Sequence, residues 1–511
     1  MFIVATSIFF FARSHLLVTF TTRCSENMHN QLLRCVLRAP VNRYFDVTPV
    51  GRILNRFARD LDIVDSVLPN LFLDFLEMAC IFVGALVVCA TSSAYIALSY
   101  IPILVVFYVA GEFFKKSSRE LKRLEGVSRS PVFSSFAETL DGIQTIRAFH
   151  MERHFAWLNR RAVDHNAKFL FALVGSGRWF AFRINALTMV LTAVILSILV
   201  ALKSIVSSTV AGLALTYSLA FLSNVQWLIR LIDTIESAMT SVERLLHFKT
   251  IPQEAPDETT EDPPTNWPTH GAIEFKQVKL RYRSDLPLVL HGISLDIHGG
   301  EKIGICGRTG AGKSSLMIAL FRIAEFDSGT ICIDGVDIAS IGLKTLRRAL
   351  SIIPQDPVLF SGTLQTNLDP FGEKSEAELR AVVAQTHLDL DLTSVVAETG
   401  SNLSVGQRQL ICIGRALLRQ SRVIVMDEAT ANVDLATDTL IQATIQEAFT
   451  TETVLTIAHR LDTILHCDRV VVLEKGVVVE CDAPASLMAQ PTSRFYGFAH
   501  EAGVLTGLLE W

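Results

Sequence analysis

Long apolar runs crowd the first 245 residues and then stop. Five of them, over residues 1–22, 71–90, 92–111, 179–202 and 210–232, are about as long as a helix needs to cross a bilayer core, although polar groups dilute the last two. The first could also serve as a signal peptide. It lacks a basic leading region and a small-residue cleavage pattern, which favours a span. Basic residues gather between the runs. Seven Lys and Arg fall from Arg23 to Arg59, and many more from Lys115 to Arg178, whereas 89–92 and 203–208 are short and almost uncharged. The positive-inside rule therefore puts the long basic segments in the cytoplasm, the short connections outside and Met1 on the outer face, with an odd number of spans. Glu26–Leu37 and Gly111–Val127 keep helical periodicity beyond the apolar runs, predicting helices that continue out of the bilayer. Breaks are expected at Phe45–Gly51 and Ser128–Phe133, either as transverse turns that press on another domain or as simple helix-breaking turns.

After residue 245 the pattern changes. Residues 246–270 are rich in Pro, Thr and acids and read as an exposed linker, and residues 271–511 read as a soluble α/β domain. Gly271–Phe275 and Val278–Tyr282 alternate like strands. Composition agrees with a mixed chain: of its 511 residues 50% are hydrophobic, and the mean hydropathy is +0.38. A net charge of −5 argues against general nucleic-acid binding. The nine cysteines form no C-x-x-C and no Cys/His ligand spacing, so neither zinc nor a disulfide framework is indicated.

The chemistry centres on Gly307-Arg308-Thr309-Gly310-Ala311-Gly312-Lys313-Ser314-Ser315, between the apolar run Lys302–Cys306 and a helical pattern from Leu316. The spacing G-x-x-x-x-G-K-S after a strand and before a helix predicts a phosphate cradle. Glycines let successive backbone N–H groups turn toward one anion, and the new helix adds its positive end. Lys313 suits the β- and γ-phosphates, and Ser314 suits Mg²⁺. Further on, Arg422–Met426 and Asp427-Glu428 read as a buried parallel strand ending at a ligand. Asp427 suits Mg²⁺ held through water, and Glu428 suits polarising an attacking water. Ser404 and Gly406, at the start of a helical pattern, offer a second hydroxyl-and-backbone anion site or simply a serine-capped helix. In the membrane half, Arg183 and Arg230 lie deep in apolar sequence and are transport-path candidates, while Arg178 and Trp179 also fit an interfacial belt.

Leu403-Ser404-Val405-Gly406-Gln407 resembles the signature of ATP-binding-cassette proteins, and the surrounding order resembles theirs as well. By that likeness Tyr282 matches the adenine-stacking aromatic, Gly307–Ser314 the Walker A loop and Gln355 the Q-loop, which also reaches Mg²⁺. Asp427 and Glu428 match Walker B and its catalytic glutamate, Ala431–Asp434 the D-loop, and His459 the switch histidine. Arg38–Pro40, Phe45–Phe57, Ile143–Phe149 and Asp369–Phe371 look like the C subfamily, the multidrug-resistance-associated proteins, in the C-terminal half of such a transporter. The segment before the signature is shorter than usual. It ends Glu398-Thr399-Gly400 where the family tends to place Glu-Gly-Gly, and an acid is often found near the position of Asn185.

The resemblance implies a multi-domain chain: an α-helical transmembrane domain of the ABC exporter type (1–245), a linker, then an α/β P-loop ATPase domain (271–511). It implies ATP and Mg²⁺ as cofactors, with ATP bound by Tyr282, Gly307, Thr309, Gly310, Ala311, Gly312, Lys313, Ser314, Ser315 and Gln355, and with Ser314, Gln355 and Asp427 as the metal residues. Catalysis would fall to Glu428, His459, Gln355 and Lys313. Residues Leu403–Gln407 would touch ATP bound by a partner half, so one chain cannot close a site. Arg178, Gln226, Trp227 and Arg230 resemble positions for anionic and aromatic substrate groups, with Arg183 as a further path residue. The expected protein is an integral membrane exporter of amphipathic organic anions or conjugates, its nucleotide domain cytoplasmic, in the plasma or an organelle membrane, with no nucleic-acid partner. Six spans are usual for such a half and five are found here. The alternatives are a nucleotide-gated channel or channel regulator, and a truncated, non-transporting product of the same lineage.

Overall fold

The computed structural model describes residues 1–92, 94–201, 208–264, 266–427, 435–458 and 460–501. It separates into two compact units, one of residues 1–34 and 51–250 and the other of 35–50 and 251–511.

The described residues of the first unit are almost all helical. Its long elements are Phe2–Leu37, Leu68–Ser92, Ala94–Asp141, Glu152–Ala201 and Ser208–Leu246. Helical stretches at Phe2–Leu37, Val50–Val88, Leu98–Asp141 and Glu152–Ala201 are each long and apolar enough to cross a membrane. The fifth expected span lies within Ser208–Leu246, a helix of 39 residues. A helix of 48 residues, Ala94–Asp141, is about 72 Å long, against a bilayer core of about 30 Å. Its excess must stand in water, and the same holds for Glu152–Ala201 with 50 residues. Apolar packing holds the spans where Ile96, Tyr100, Phe107, Ile184, Leu191 and Ile195 are buried together. Beyond the apolar zone, polar pairs take over. Lys122 bonds Asp233 at 2.7 Å, and Asn166 donates to the Glu125 carbonyl at 3.0 Å.

The first expected break is found: a short π-helical turn at Val41–Phe45 interrupts the chain before helix resumes at Val50. The second is not where the sequence suggested. Pro131 lies inside the continuous helix Ala94–Asp141, and the chain turns instead at Gly142, followed by the short helix Ile143–Ala148. A proline removes one backbone donor. Here the neighbouring turn is locked from the side, because Asn166 also donates to the Ser128 hydroxyl at 2.9 Å.

In the second unit, a six-stranded sheet runs from edge to edge as Val477–Asp482, Arg469–Glu474, Lys302–Cys306, Thr453–Ile457, Val423–Asp427 and Leu350–Ile353. All neighbours are parallel except the first pair. A four-stranded antiparallel sheet stands beside it: Leu290–Ile297, Ile273–Leu280, Ser328–Ile333 and Val336–Asp337. The two strands expected at 271–275 and 278–282 are one strand, Ile273–Leu280, whose register shifts around Gln277, a residue at φ 50°. One core joins the two sheets and includes Phe275, Leu290, Ile305, Leu320 and Val425. A second core gathers helices around Leu364, Leu379, Ile411 and Ile413.

The stretch expected as an exposed linker is strapped to this unit. Glu254 holds Arg347 through two bonds of 2.8 Å, and Asp262 accepts from the Gly342 amide at 2.6 Å and the Thr345 hydroxyl at 2.9 Å. Asp334 accepts from the amides of His270 and Ala272 at 2.8 Å each, and Trp267 donates to the Ile333 carbonyl at 3.2 Å. Acids, which read as solvent-loving in sequence, here accept from turn and loop amides and from the Arg347 guanidinium.

Asp60, in the polar stretch that precedes the apolar run 71–90, is the polar centre of the helical unit and only 3% exposed. It accepts from Arg56 at 2.6 Å and from Arg244 through both carboxylate oxygens. Burial works against its ionisation, but the bonds from Arg244 and Arg56 outweigh it and hold the carboxyl below its ordinary range. A depressed folded value means stability that is present at neutral pH and lost as pH falls through that value. Asp60→Asn should cost about 3 kcal/mol and remove this acid-side loss from the thermal unfolding of the detergent-solubilised chain, because two guanidinium groups lose their counter-charge.

Candidate nucleotide site

The strand Lys302–Cys306 has a neighbour on each side in the parallel sheet, and Ile303 and Ile305 are fully covered. Its chain must therefore leave at the carboxyl edge, where residues 307–312 form a loop and the helix Lys313–Leu320 begins. Gly307 tolerates no side chain: a Cβ would stand 2.3 Å from the Leu473 carbonyl oxygen. The loop is propped from beneath by a residue far along the chain. Gly476 donates its amide to the Ala311 carbonyl at 2.9 Å, and its own carbonyl accepts from the His291 amide at 2.9 Å. Gly476 has φ 77°, and a Cβ there would lie 2.0 Å from the Val289 carbonyl oxygen. The pair Lys475-Gly476 between two apolar runs is a hairpin signal in sequence, but its service to the phosphate loop is not legible there.

Lys313 is buried and donates to the Gly307 carbonyl at 2.8 Å. Burial pushes its ammonium below the ordinary lysine range, opposed by Cys306 and by Asp427. A desolvated cation facing its own loop is suited to exchange that carbonyl for phosphate oxygens. Ser314, Thr309 and Gly310 are exposed, whereas Ala311, Gly312 and Ser315 are buried. Tyr282 is half-buried, and its hydroxyl lies 2.8 Å from the Ser315 Oγ, so the aromatic reaches the phosphate-loop helix from the other sheet.

Register places the acid. Ile457 pairs with Ile305 on one side and with Asp427 on the other, so Asp427 stands at the same carboxyl edge as the loop, with one strand between them. The strand Leu350–Ile353 adds the next position, with Ile353 opposite Met426, and the exposed Gln355 follows it at that edge. Glu428, His459 and Ala431–Asp434 lie outside the described residues. The hard oxygen donors of Ser314 and Asp427 at this edge fit Mg²⁺.

Ser404 caps the helix Val405–Arg419. Its hydroxyl accepts from the Gln407 amide at 3.1 Å while Gln407 Oε1 accepts from the Ser404 amide at 3.0 Å. Leu403 and Val405 are half-buried and Gly406 is buried. This helix belongs to the second core, whereas the phosphate loop belongs to the first. The chain thus brings Tyr282, Lys313, Ser315, Asp427 and Gln355 to one edge and carries Leu403–Gln407 on another lobe. Gln409, buried on the same helix, donates to the Pro354 carbonyl at 3.1 Å and ties the signature helix to the segment before Gln355. No local pattern marks that bond. Thr399 stands at φ 56°, where the family tends to place glycine, and its carbonyl accepts from Arg408 at 3.4 Å.

In the helical unit, Arg178, Arg183 and Arg230 are exposed, as are Trp179 and Trp227. The Arg183 guanidinium lies 5.3 Å from the centre of the Trp179 ring, a cation–π contact. Phe180 and Ile184, on the other face of that helix, are buried. Gln226 lies in the helix Ser208–Leu246, and its side chain lies outside the described residues.

Two changes test this geometry. Gly476→Ala should weaken binding of a fluorescent ATP analogue by at least about tenfold, since the added methyl must displace the turn holding Ala311. Thr399→Gly should raise the unfolding midpoint, gaining up to about 1 kcal/mol by relieving a β-branched residue in the left-handed region, with nucleotide affinity unchanged.

Comparison with known proteins agrees with this arrangement. Residues 1–225 match the ABC transporter transmembrane region, and residues 290–431 match the ABC transporter family. ATP-binding cassette sub-family C member 2 of Rattus norvegicus is 44% identical over 490 residues, 94% of this chain and 32% of its own length. Sub-family C member 3 of Homo sapiens is 45% identical over 93% of this chain and 32% of its own. ABC transporter C family member 3 of Dictyostelium discoideum is 44% identical over 96% of this chain and 35% of its own. The chain thus spans about a third of the length of these curated relatives. With its helical transmembrane region followed by an α/β nucleotide-binding domain, the chain is an integral membrane protein of the C subfamily of ATP-binding-cassette transporters.

Proposed function

We propose that the chain supplies one membrane domain and one hydrolytically competent ATP site to an exporter of amphipathic organic anions or conjugates. The observation that carries this reading is the carboxyl edge of the six-stranded sheet, where the buried Lys313 and the half-buried Asp427 flank one strand on a chain that also holds membrane-spanning helices. In this reading the membrane domain occupies 1–245, the segment 246–270 joins it to the nucleotide domain 271–511, and that domain faces the cytoplasm.

Tyr282 stacks on adenine, and the amides of 307–315 with Lys313 hold the phosphates. Ser314, Gln355 and Asp427 hold Mg²⁺, which when bound offsets charge on the β- and γ-oxygens. Glu428 orients a water for in-line attack on the γ-phosphorus, giving ADP and phosphate, while Gln355 and His459 respond to the γ-phosphate. Leu403–Gln407 close over the ATP of a second nucleotide domain, whose own signature closes over this one. Arg178, Arg183, Gln226, Trp227 and Arg230 receive the substrate, arginine taking the anion and tryptophan its apolar part.

The test uses vesicles from cells expressing the chain with a partner half. Glu428→Gln should keep ATP binding while hydrolysis falls on the order of a hundredfold or more. Arg230→Ala should lower ATP-dependent uptake of a labelled glutathione conjugate with hydrolysis retained. Full hydrolysis by the Glu428→Gln protein would refute the catalytic assignment, and unchanged uptake by the Arg230→Ala protein would refute the substrate assignment.

A further inference from the structure

Beside Tyr282 lies a cleft of about 230 Å³, lined by Arg43, Arg281, Arg283, Ser284, Glu325 and Asp327. Its walls come from two parts of the second unit. Arg43 belongs to Val41–Phe45, and the remaining residues belong to the end of the strand Ile273–Leu280 and to the segment before Ser328. The parts are already joined, because buried Asn42 donates its side-chain amide to the Tyr282 carbonyl.

Ser284 sits at the corner of a turn closed by the Leu286 amide on the Arg283 carbonyl at 3.0 Å, and it is exposed. The charges around it are unevenly matched. Arg281 pairs with Asp327, Arg283 with Asp285 at 3.2 Å, and Glu325 with Arg322 at 2.9 Å. Arg43 has no ion pair among the described residues. The cleft therefore keeps one guanidinium outside any ion pair among the described residues, and a serine lines the same cleft. In sequence, Ser284 follows arginine at the first and third positions before it. An exposed turn serine with that basic approach presents itself to a kinase that selects arginine, and a phosphate there gains a bidentate partner.

We propose that Ser284 is a phosphorylation site and that Arg43 is the cation that holds its phosphate. A basophilic protein serine kinase transfers the γ-phosphoryl of ATP. The bond from phosphorus to the ADP oxygen breaks as the bond to Ser284 Oγ forms, and the hydroxyl proton goes to the kinase's base. The phosphate then spans the cleft from the Ser284 turn to Val41–Phe45 and adds a charged link beside the Asn42–Tyr282 bond. Because Tyr282 carries adenine in the function proposed above, the link also steadies the nucleotide-facing ring. That second effect rests on the proposed function, whereas the link itself does not.

The experiment uses the detergent-solubilised full chain. A basophilic kinase catalytic subunit with ATP should place phosphate on Ser284, read by peptide mass spectrometry and absent in Ser284→Ala. A second preparation carries phosphoserine incorporated during translation at position 284. Without nucleotide, its unfolding midpoint should rise by about 2–4 °C, and Arg43→Gln should abolish the rise while leaving the unmodified protein unchanged. Affinity for a fluorescent ATP analogue should rise about threefold with the same dependence on Arg43. No phosphate on Ser284 of the folded chain overturns the site. Absence of a midpoint rise, or a rise that survives Arg43→Gln, overturns the role of Arg43. A midpoint rise without an affinity change keeps the phosphate link and removes only the effect through Tyr282.

Discussion

In the proposed function the loop 307–312 turns its backbone amides toward a triphosphate, and so it cannot use them to hold itself in shape. That constraint governs the α/β unit. The Ala311 carbonyl is held by Gly476 from a distant hairpin, and the Gly307 carbonyl is held by Lys313. Both supports depend on the parallel sheet, which fixes Lys302–Cys306 between two buried strands and brings Leu473 against Gly307. The same sheet register sets Asp427 at the loop's edge with a single strand between them. The cradle is therefore a property of four strands rather than of nine residues.

The helical unit answers a different problem. Helices far longer than a bilayer is thick must remain ordered where lipid no longer packs their sides. Inside the apolar zone, Ile184, Leu191 and Ile195 interlock with Ile96 and Phe107. Outside it, buried or half-buried charge pairs do the joining: Asp60 with Arg56 and Arg244, and Lys122 with Asp233. Such pairs add directionality to helices whose apolar faces alone leave rotation and sliding loosely specified.

Within the second unit, the chain uses polar residues as straps. Glu254 pairs with the Arg347 guanidinium, and Asp262 and Asp334 satisfy amides that the loops of this unit would otherwise leave open. The helix that starts at Ser404 is tied to the segment before Gln355 by the buried Gln409. A position that senses a γ-phosphate in the proposed function is thereby mechanically joined to one that would touch a partner's nucleotide.

Features that repeat over a few residues were legible without coordinates. The described residues of the runs at 1–22, 71–90, 92–111 and 179–202 lie almost wholly in long helices, and Gly307–Ser315 forms a strand–loop–helix with its neighbours. Each is set by local spacing: apolar length against bilayer thickness, and glycines against a phosphate's need for amides. The strapping of 251–270, the support from Gly476, the bond of Gln409 to Pro354 and the reach of Tyr282 to Ser315 were not legible, since each joins residues tens to hundreds of positions apart. The turn at Gly142 rather than at Pro131 belongs with them. Local rules make proline the stronger breaker, but bonds from Asn166 hold the preceding turn of helix, and only the folded chain brings that side chain there. By itself, then, the sequence determined where the strand–loop–helix spacing of a phosphate cradle falls and which runs are long and apolar enough to span a bilayer. Tertiary structure decided which residues hold that chemistry in shape, because a long-range contact leaves no periodic trace in the segments it joins.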